Sequence, residues 1–599
     1  IGINRNSALA NTSNVIESVE SSDNFNRGLN WEGAGAITTA LTIRNSIFNN
    51  NNGVGVYSAG IYINGMTKVG LNIRNNTCNG NRNAGIEIGP TGLATNFFIK
   101  GNSIAGINSV SPLHNSTTEF GIVVSDVTPT GTNSHISDNT ISMYGRGGIE
   151  CRGCVGNGAL SGNGSLRIAS NYITQAGGPF RVEPNNSLQN DVRDVAGIAV
   201  GQINGSALSV SIPIDSNHVE GLQQPFSATT AYTAFGIVAA GANMVTRANL
   251  VTGCEIGIQA QQGASGNENN TPDDFYSRDN TASSTNFLAN RNSITSNTVF
   301  GGRNQGLAGT INFMGNWWGD QNGPTHASNT NAGFTGFGAG AGQVIPAGAG
   351  IAYNAHLGID PDEDAGTPLL QITKGLNFRL KPTGNSVQLT GAGTLYIINQ
   401  GLSVCQSLAP NSGFTDTLDI APITWTLPSQ SILIRRRMHL RGNFGSGTKP
   451  VINGNGSSLH PCEQNSGCLP AGEVARMMIN MAAQNSGIEN LDIRFSVPAF
   501  VFGVSNLIGI GDTVKTVTSV INGMVIKNNI IQNTGSYNFA SFGLYIKSLN
   551  YSSDPSIVTV TGNQIGSPGA SFGAPVRIWS CRGNFTNNTL TGFYAFRWG

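Results

Sequence analysis

The sequence predicts an all-β chain: right-handed parallel β-helix, arranged as two solenoids joined by a linker or small β module. Three observations predict it. Short stretches alternate apolar and polar residues with period two, and no stretch sustains a helical period. One eight-residue pattern ending in Asn, any residue and an apolar residue recurs through the first half of the chain. The composition is rich in glycine, 80 of 599 residues, and poor in charge, 11%, while 39% hydrophobic residues still allow a core. That is a composition of many turns between short strands, not of a disordered chain.

The repeat comes first because it decides the fold. "LNIRNNTC" opens with Leu71 and Ile73, then has Asn76 and Cys78. "FFIKGNSI" puts Phe97, Ile99, Asn102 and Ile104 in the same slots, and "SHISDNTI" supplies Ile136, Asn139 and Ile141. "LRIASNYI" and "IPIDSNHV" add Asn171 and Asn217 with their flanking Leu, Ile and Val residues. An earlier copy carries Ser46 in the Asn slot, and a weaker later one carries Asn249. Successive Asn slots lie 26 to 46 residues apart, the range of solenoid rungs with loops of variable length.

Between these slots sits a second element, glycine followed by apolar alternation: Gly85 in "AGIEIG", Gly121 in "FGIVVS", Gly197 in "AGIAVG" and Gly236 in "FGIVAA". Both elements read as short strands with one buried face. The chain must turn a corner at the Asn slot. Asn tolerates the left-handed conformation there, and its amide can bond the Asn of the next rung about 4.8 Å away. A leucine-rich repeat would need helical stretches that are absent.

In "INFMGNWWGDQNGP", Ile311, Phe313, Asn316 and Trp318 fall on the repeat slots. Trp318 replaces the usual Ile or Val, and Trp317 stands beside it. The run of turn formers that follows predicts the end of the first array, with the indole covering its last rung. A sugar-stacking platform is the alternative for the two tryptophans. "GNWWGDQNGP" followed by "IAYNAHLGID" resembles the closing segment of bacterial secreted parallel β-helix surface proteins. In those proteins a short terminal strand follows, often ending Pro-Trp-Leu, where this chain has Ala355-His356-Leu357. The resemblance spans residues 40 to 360. It implies the fold and an exported location, and leaves activity open among adhesins, surface-layer-like proteins and polysaccharide-active enzymes.

Residues 321–414 read as a Gly-rich linker and small β module, the strands from Leu369 onward being alternatively the entry to the helix that follows. Within this segment Asp360, Asp362 and Asp364 alternate as in a calcium loop, although Ala365 and Gln371 replace the glycine and glutamate such a loop needs. A second, incomplete helix is expected over 415–599, with Asn529 in "MVIKNNII", Asn563 in "VTVTGNQI" and Asn588 near its end. The domain boundaries expected are thus 1–320, 321–414 and 415–599.

The formal net charge is zero, which argues against bulk attraction to nucleic acid or an anionic membrane. No apolar stretch is long enough for a transmembrane helix. The run Arg435-Arg436-Arg437 reads as the solvated face of a strand. Eight cysteines with few lysines suit an extracellular or cell-surface protein. Cys151-x-x-Cys154 lacks the second pair of a zinc site. Cys462 and Cys468 flank a short loop that a disulfide could close, while Cys78 and Cys254 can also be buried free thiols. Asn115 and Asn163 begin glycosylation sequons.

β-Helix enzymes need carboxylates clustered with a cation on one outer face. The candidates are Asp191, Arg193 and Asp194, then Glu268, Asp273 and Asp274, with His114, His135 and His218 in separate rungs. Each reads more simply as a surface turn or polar loop. The expectation is therefore a non-enzymatic structural or adhesive surface protein with no cofactor. Its rods would build a filament, surface layer or appendage through self-association or neighbouring segments of a longer chain, with surface glycans as further partners. A polysaccharide-binding or polysaccharide-degrading enzyme is the alternative.

Overall fold

A computed structural model gives the architecture. It describes residues 2–5, 13–32, 40–51, 58–64, 70–89, 92–94, 96–106, 120–129, 134–142, 145, 147–156, 166–175, 194–201, 211–223, 233–240, 243–261, 287–307, 311–329, 338–347, 350–362, 375–381, 414–427, 432–434, 437–442, 448–455, 476–481, 485–496, 507–511, 523–535, 538–547, 557–566, 572–579, 582–592 and 597–598. No described residue is helical, and no helix is long and apolar enough to cross a membrane. The chain divides into two parallel β-solenoid units. The first comprises residues 1–327, 341–353 and 360–372; the second comprises 328–340, 354–359 and 373–599.

Among its described residues the first unit has three long parallel sheets and two short two-stranded ones. The first sheet stacks ten strands, from Ile3–Arg5 through Ala84–Ile88 and Val195–Gly201 to Phe300–Gln305. The second stacks eleven, from Asn14–Glu17 through Leu71–Arg74 and Leu166–Ala169 to Ile351–Ala352. The third stacks six, from Ser103–Ala105 to Ser293–Thr295, and single bridges extend it back through Thr77 and Ile47. The register puts like on like: Ile43, Ile73 and Ile99 align on successive rungs, as do Ile136, Ile168 and Ile214. These side chains are fully buried in one continuous core. Each contributes about 1.5–3 kcal/mol of apolar burial.

Each corner uses two adjacent residues for two different jobs. The left-handed residue is the one before the Asn slot: Asn75, Gly101, Asp138, Ser170, Ser216 and Ala248 all have φ between 52° and 66°. The slot residues Asn76, Asn102, Asn139, Asn171, Asn217 and Asn249 are not left-handed. This corrects the expectation that Asn occupies the slot for its tolerance of that conformation. The slot selects its inward-facing amide.

The glycines of the second motif answer to a close approach. A Cβ on Gly197 would stand 2.3 Å from Val219 Cγ1 and 2.7 Å from the Gly236 carbonyl oxygen. Gly85, Gly121 and Gly236 meet Ile104, Ile141 and Val251 in the same way, at 2.6, 2.5 and 2.3 Å. The third sheet packs its branched side chains onto a first sheet that has no Cβ at that point.

The first array continues slightly past the tryptophan pair. Ile311 and Asn312 pair with Ile351 and Ala352, so one short strand follows the rung expected to be last. The segment His356–Leu357, which resembles a closing strand, pairs instead antiparallel with Phe378 and Arg379 in the second unit.

The second unit repeats the plan. Its first sheet stacks Asn377–Leu380, Asp416–Ile420, Met438–Gly442, Gly487–Glu489, Val525–Lys527, Ile557–Thr561 and Arg582–Thr586 in parallel. Two six-stranded parallel sheets complete it. Because Asn377–Leu380 pairs in register with Thr417–Ile420, part of the stretch expected as a linker module is already a rung of this stack, upstream of residue 415. Of the arginine run, Arg437 lies in a bend just before the strand Met438–Gly442; Arg435 and Arg436 lie outside the described residues.

Candidate functional site

The Asn slots form one hydrogen-bonded line. The side-chain amide of Asn76 donates to Asn102 Oδ1 at 3.0 Å, Asn102 to Asn139 at 3.0 Å, and Asn139 to Asn171 at 2.9 Å. The line continues through Asn217 and Asn249 to Asn292 and ends on Asn316. Each oxygen also accepts the backbone N–H of the preceding Asn, as Asn139 Oδ1 does from Asn102 at 3.0 Å. Each amide has a second acceptor one rung back, as Asn102 has in the Ile73 carbonyl at 3.1 Å. These groups are buried, so every one needs its partner. In the second unit Asn529 donates to Asn563 and Asn563 to Asn588.

Sequence reasoning passed over two parts of this system. Asn292 was concealed because its rung, "FLANRNSI", carries the small Ala289 where other rungs have Ile. A second line runs along the corner that follows the third sheet, where Asn24 donates to Asn51 and Asn51 to Asn81, at 2.8 and 2.9 Å. Its signal was Asn three residues after the third-sheet apolar position, at Phe48 and Cys78.

Trp318 is fully buried in the core of the first unit, tilted 30° to Phe313 with ring centroids 6.2 Å apart. Ile345, Ile351 and Tyr353 share that core end. Trp317 is half-buried, and its indole donates to the Asp360 carboxylate. Asp360 also accepts from the Ser293 hydroxyl at 2.9 Å and the Asp362 amide at 3.0 Å. Burial raises the Asp360 carboxyl above its ordinary range, opposed by those three donors. In this arrangement Asp360 ties the turn after the array to its last rungs. Asp364 lies outside the described residues. Among the described residues no group of three or more His, Cys, Asp or Glu could hold a metal.

The stack joins ionisable residues far apart in sequence. Asp215, buried, accepts Arg167 Nε at 2.6 Å and Arg247 Nη2 at 3.0 Å from the rungs on either side. Around the corner Tyr172 donates to Glu220, and His218 Nε2 lies 3.1 Å from the other Glu220 oxygen. The Tyr172 and His218 rings meet edge-on, with centroids 4.9 Å apart. Burial first, and the bonded Glu220 second, push the Tyr172 hydroxyl up to about 12, so it remains a donor at neutral pH. On the outer face of the first sheet, buried Glu150 is bonded by Arg152. The second unit repeats the device: Asp419 takes Arg441 from one neighbouring strand and Asn377 from the other, at 2.6 and 3.0 Å.

Of these groups the sequence reading singled out only His218, as part of a surface turn. Their chemistry is mutual satisfaction. Each of these carboxylates accepts from a guanidinium or a hydroxyl, usually from a rung above or below. Of the other candidates, Asp194 is buried and accepts the Thr233 backbone N–H at 2.8 Å. His135 stands beside Phe98 on the second sheet, with ring centroids 4.8 Å apart. Asp191, Arg193, Glu268, Asp273, Asp274, His114, Cys462, Cys468, Asn115 and Asn163 lie outside the described residues. Cys78, Cys151, Cys154 and Cys254 are buried thiols not joined in a disulfide. Burial pushes the Cys254 thiol up to about 12, which suppresses the reactive thiolate.

No protein-family model matches this chain, and no curated protein is significantly similar to it in sequence.

Proposed function

We propose that this protein is an extracellular structural or adhesive component of a cell surface, whose β-solenoid units act as stiff rods in a filament, surface layer or appendage. The observation that carries this reading is the use made of its buried polar groups. Eight Asn side chains from Asn76 to Asn316 bond rung to rung without a break, and Asp215, Glu220 and Asp419 pin neighbouring rungs together. A reaction centre needs an acid or base directed at a substrate; here Asp215 and Asp419 are directed at the neighbouring rungs. Such bonding resists bending and local opening, which is what a load-bearing or display element requires. The composition, low in charge and lysine, suits an exported protein.

The experiment is localisation of the native protein by surface proteolysis and immunogold labelling, with negative-stain microscopy of purified material. Rods or their assemblies on the outside of the cell are expected. A protein confined to the cell interior, or a purified protein that depolymerises a polysaccharide, would overturn the reading.

A further inference from the structure

The outer face of the second sheet carries a band of cations in register. Arg44, Arg74 and Lys100 occupy one outward column on three successive rungs. Asn72, Phe98 and His135 occupy the adjacent outward column, and Arg167 continues it. The band is accessible: the Arg44 and Lys100 side chains are 33% and 54% exposed, and Arg74, Phe98 and His135 are half-buried. Two carboxylates flank it, Glu17 on Arg44 at 2.6 Å and Asp138 on Lys100 at 3.3 Å. Both lie at the band's edge, and Asp215 neutralises Arg167 at its far end.

We propose that this face binds an acidic polysaccharide lengthwise, with sugar carboxylates opposite Arg44, Arg74 and Lys100 and a pyranose ring against Phe98. The argument is one of period and of mixed chemistry. Rungs repeat at about 4.8 Å, close to the length of one pyranose residue in an extended glycan, so a uronic-acid polymer lying along the band sets about one sugar against each rung. Aromatic Phe98 and the amide of Asn72 match the apolar face and hydroxyls of a sugar. A nucleic acid would place its phosphates at a different period. Solvent-exposed pairs with Glu17 and Asp138 are weak, so a polyanion can displace them. The site goes beyond a purely mechanical rod and does not depend on where the protein resides.

The test uses the whole chain and immobilised polygalacturonate, with dextran and single-stranded DNA as comparison probes. Retention on polygalacturonate that weakens as salt rises is expected, with little on dextran. The double variant Arg74→Glu/Lys100→Glu should lose about tenfold or more in affinity, and Arg74→Gln/Lys100→Gln an intermediate amount. Lys527→Glu, in the second unit, should bind as wild type. Unchanged thermal melting of the variants separates loss of binding from loss of fold. Failure of the wild type to bind polygalacturonate at low salt, equal binding by correctly folded charge variants, or equally tight binding of DNA would each overturn the proposal. None of these results bears on whether the protein forms surface rods.

Discussion

Asn139 Oδ1 receives two hydrogen bonds from a single neighbour: the backbone N–H of Asn102 and the side-chain amide of Asn102, each at 3.0 Å. One side-chain oxygen thus satisfies two buried donors, and its own amide passes the pattern to Asn171 at 2.9 Å. Removing it strands donors on one side and an acceptor on the other. Asn139→Ala should destabilise the first unit by about 2–4 kcal/mol, read as a lowered urea midpoint. Asn139→Asp keeps the acceptor but turns a carboxylate oxygen toward the Ile99 carbonyl and Asn171 Oδ1. The fold then favours the protonated acid, so its folded pKa is raised. Stability of this variant should be greatest below about pH 4 and should fall as pH rises, unlike that of Asn139→Ala.

Trp318 fills the core near the last rungs of the first unit, where other rungs have Ile or Val. It lies beside Phe313 and beneath Gly302, whose added Cβ would meet the indole at 3.0 Å. Trp318→Ala should cost roughly 3–5 kcal/mol, and Trp318→Phe less. Trp317→Phe removes only the indole bond to Asp360 and should cost about 1–2 kcal/mol. A Trp318→Ala protein as stable as wild type in chemical denaturation would contradict this packing role.

The pH dependence follows from histidines that burial holds below their ordinary pKa: His135 and His326 in the first unit and His439 in the second. His135 is held below its ordinary pKa by burial and then by Lys100 and Arg167. His439 is held below it by burial and by Arg441, against the opposing pull of Glu489. A histidine with a depressed folded pKa favours the neutral form in the fold. Its contribution is complete above the unfolded value of about 6.5 and is lost as pH falls below it. Urea midpoints should therefore decline between about pH 7 and pH 5. His135→Gln and His439→Gln should each flatten that decline in the transition of its own unit. A decline unaffected by either substitution would assign it to other groups.

What the sequence revealed was what each rung must supply by itself. Ile73, Asn76 and Gly85 recur because every rung needs an inward aliphatic, an inward amide and a bare Cα at fixed points. The residue in the left-handed corner varies from Asn75 to Ser170 to Ala248, so no consensus marked it. Cross-rung partners were hidden for another reason. Tyr172 and Glu220 are 48 residues apart, as are Arg167 and Asp215. Loops of unequal length decide which side chains become neighbours, and the stacking register alone reveals them. The start of the second unit was obscured likewise, since Asn377–Leu380 is a lone short strand until its pairing with Thr417–Ile420 is known.

The last prediction concerns the glycine of the second motif. Gly197 lies on the first sheet against Val219 of the third, and an added Cβ would stand 2.3 Å from Val219 Cγ1 and 3.0 Å from Leu222 Cδ1. Both neighbours are fully buried in a packed core, so neither can swing into solvent. Gly197→Ala should destabilise by about 1–3 kcal/mol through overpacking. Val219→Ala alone should also destabilise, by loss of buried methyl groups, at about 1–3 kcal/mol. Together the two changes exchange one volume for another. The double variant should be more stable than the sum of the single effects by at least about 1 kcal/mol, a coupling that a double-mutant cycle measures directly. The Gly236 carbonyl, 2.7 Å from the same Cβ, is backbone and cannot be trimmed away, so rescue should be partial. Strict additivity would mean that the rungs separate to admit the methyl group, and that Gly197 is not fixed by its contact with Val219.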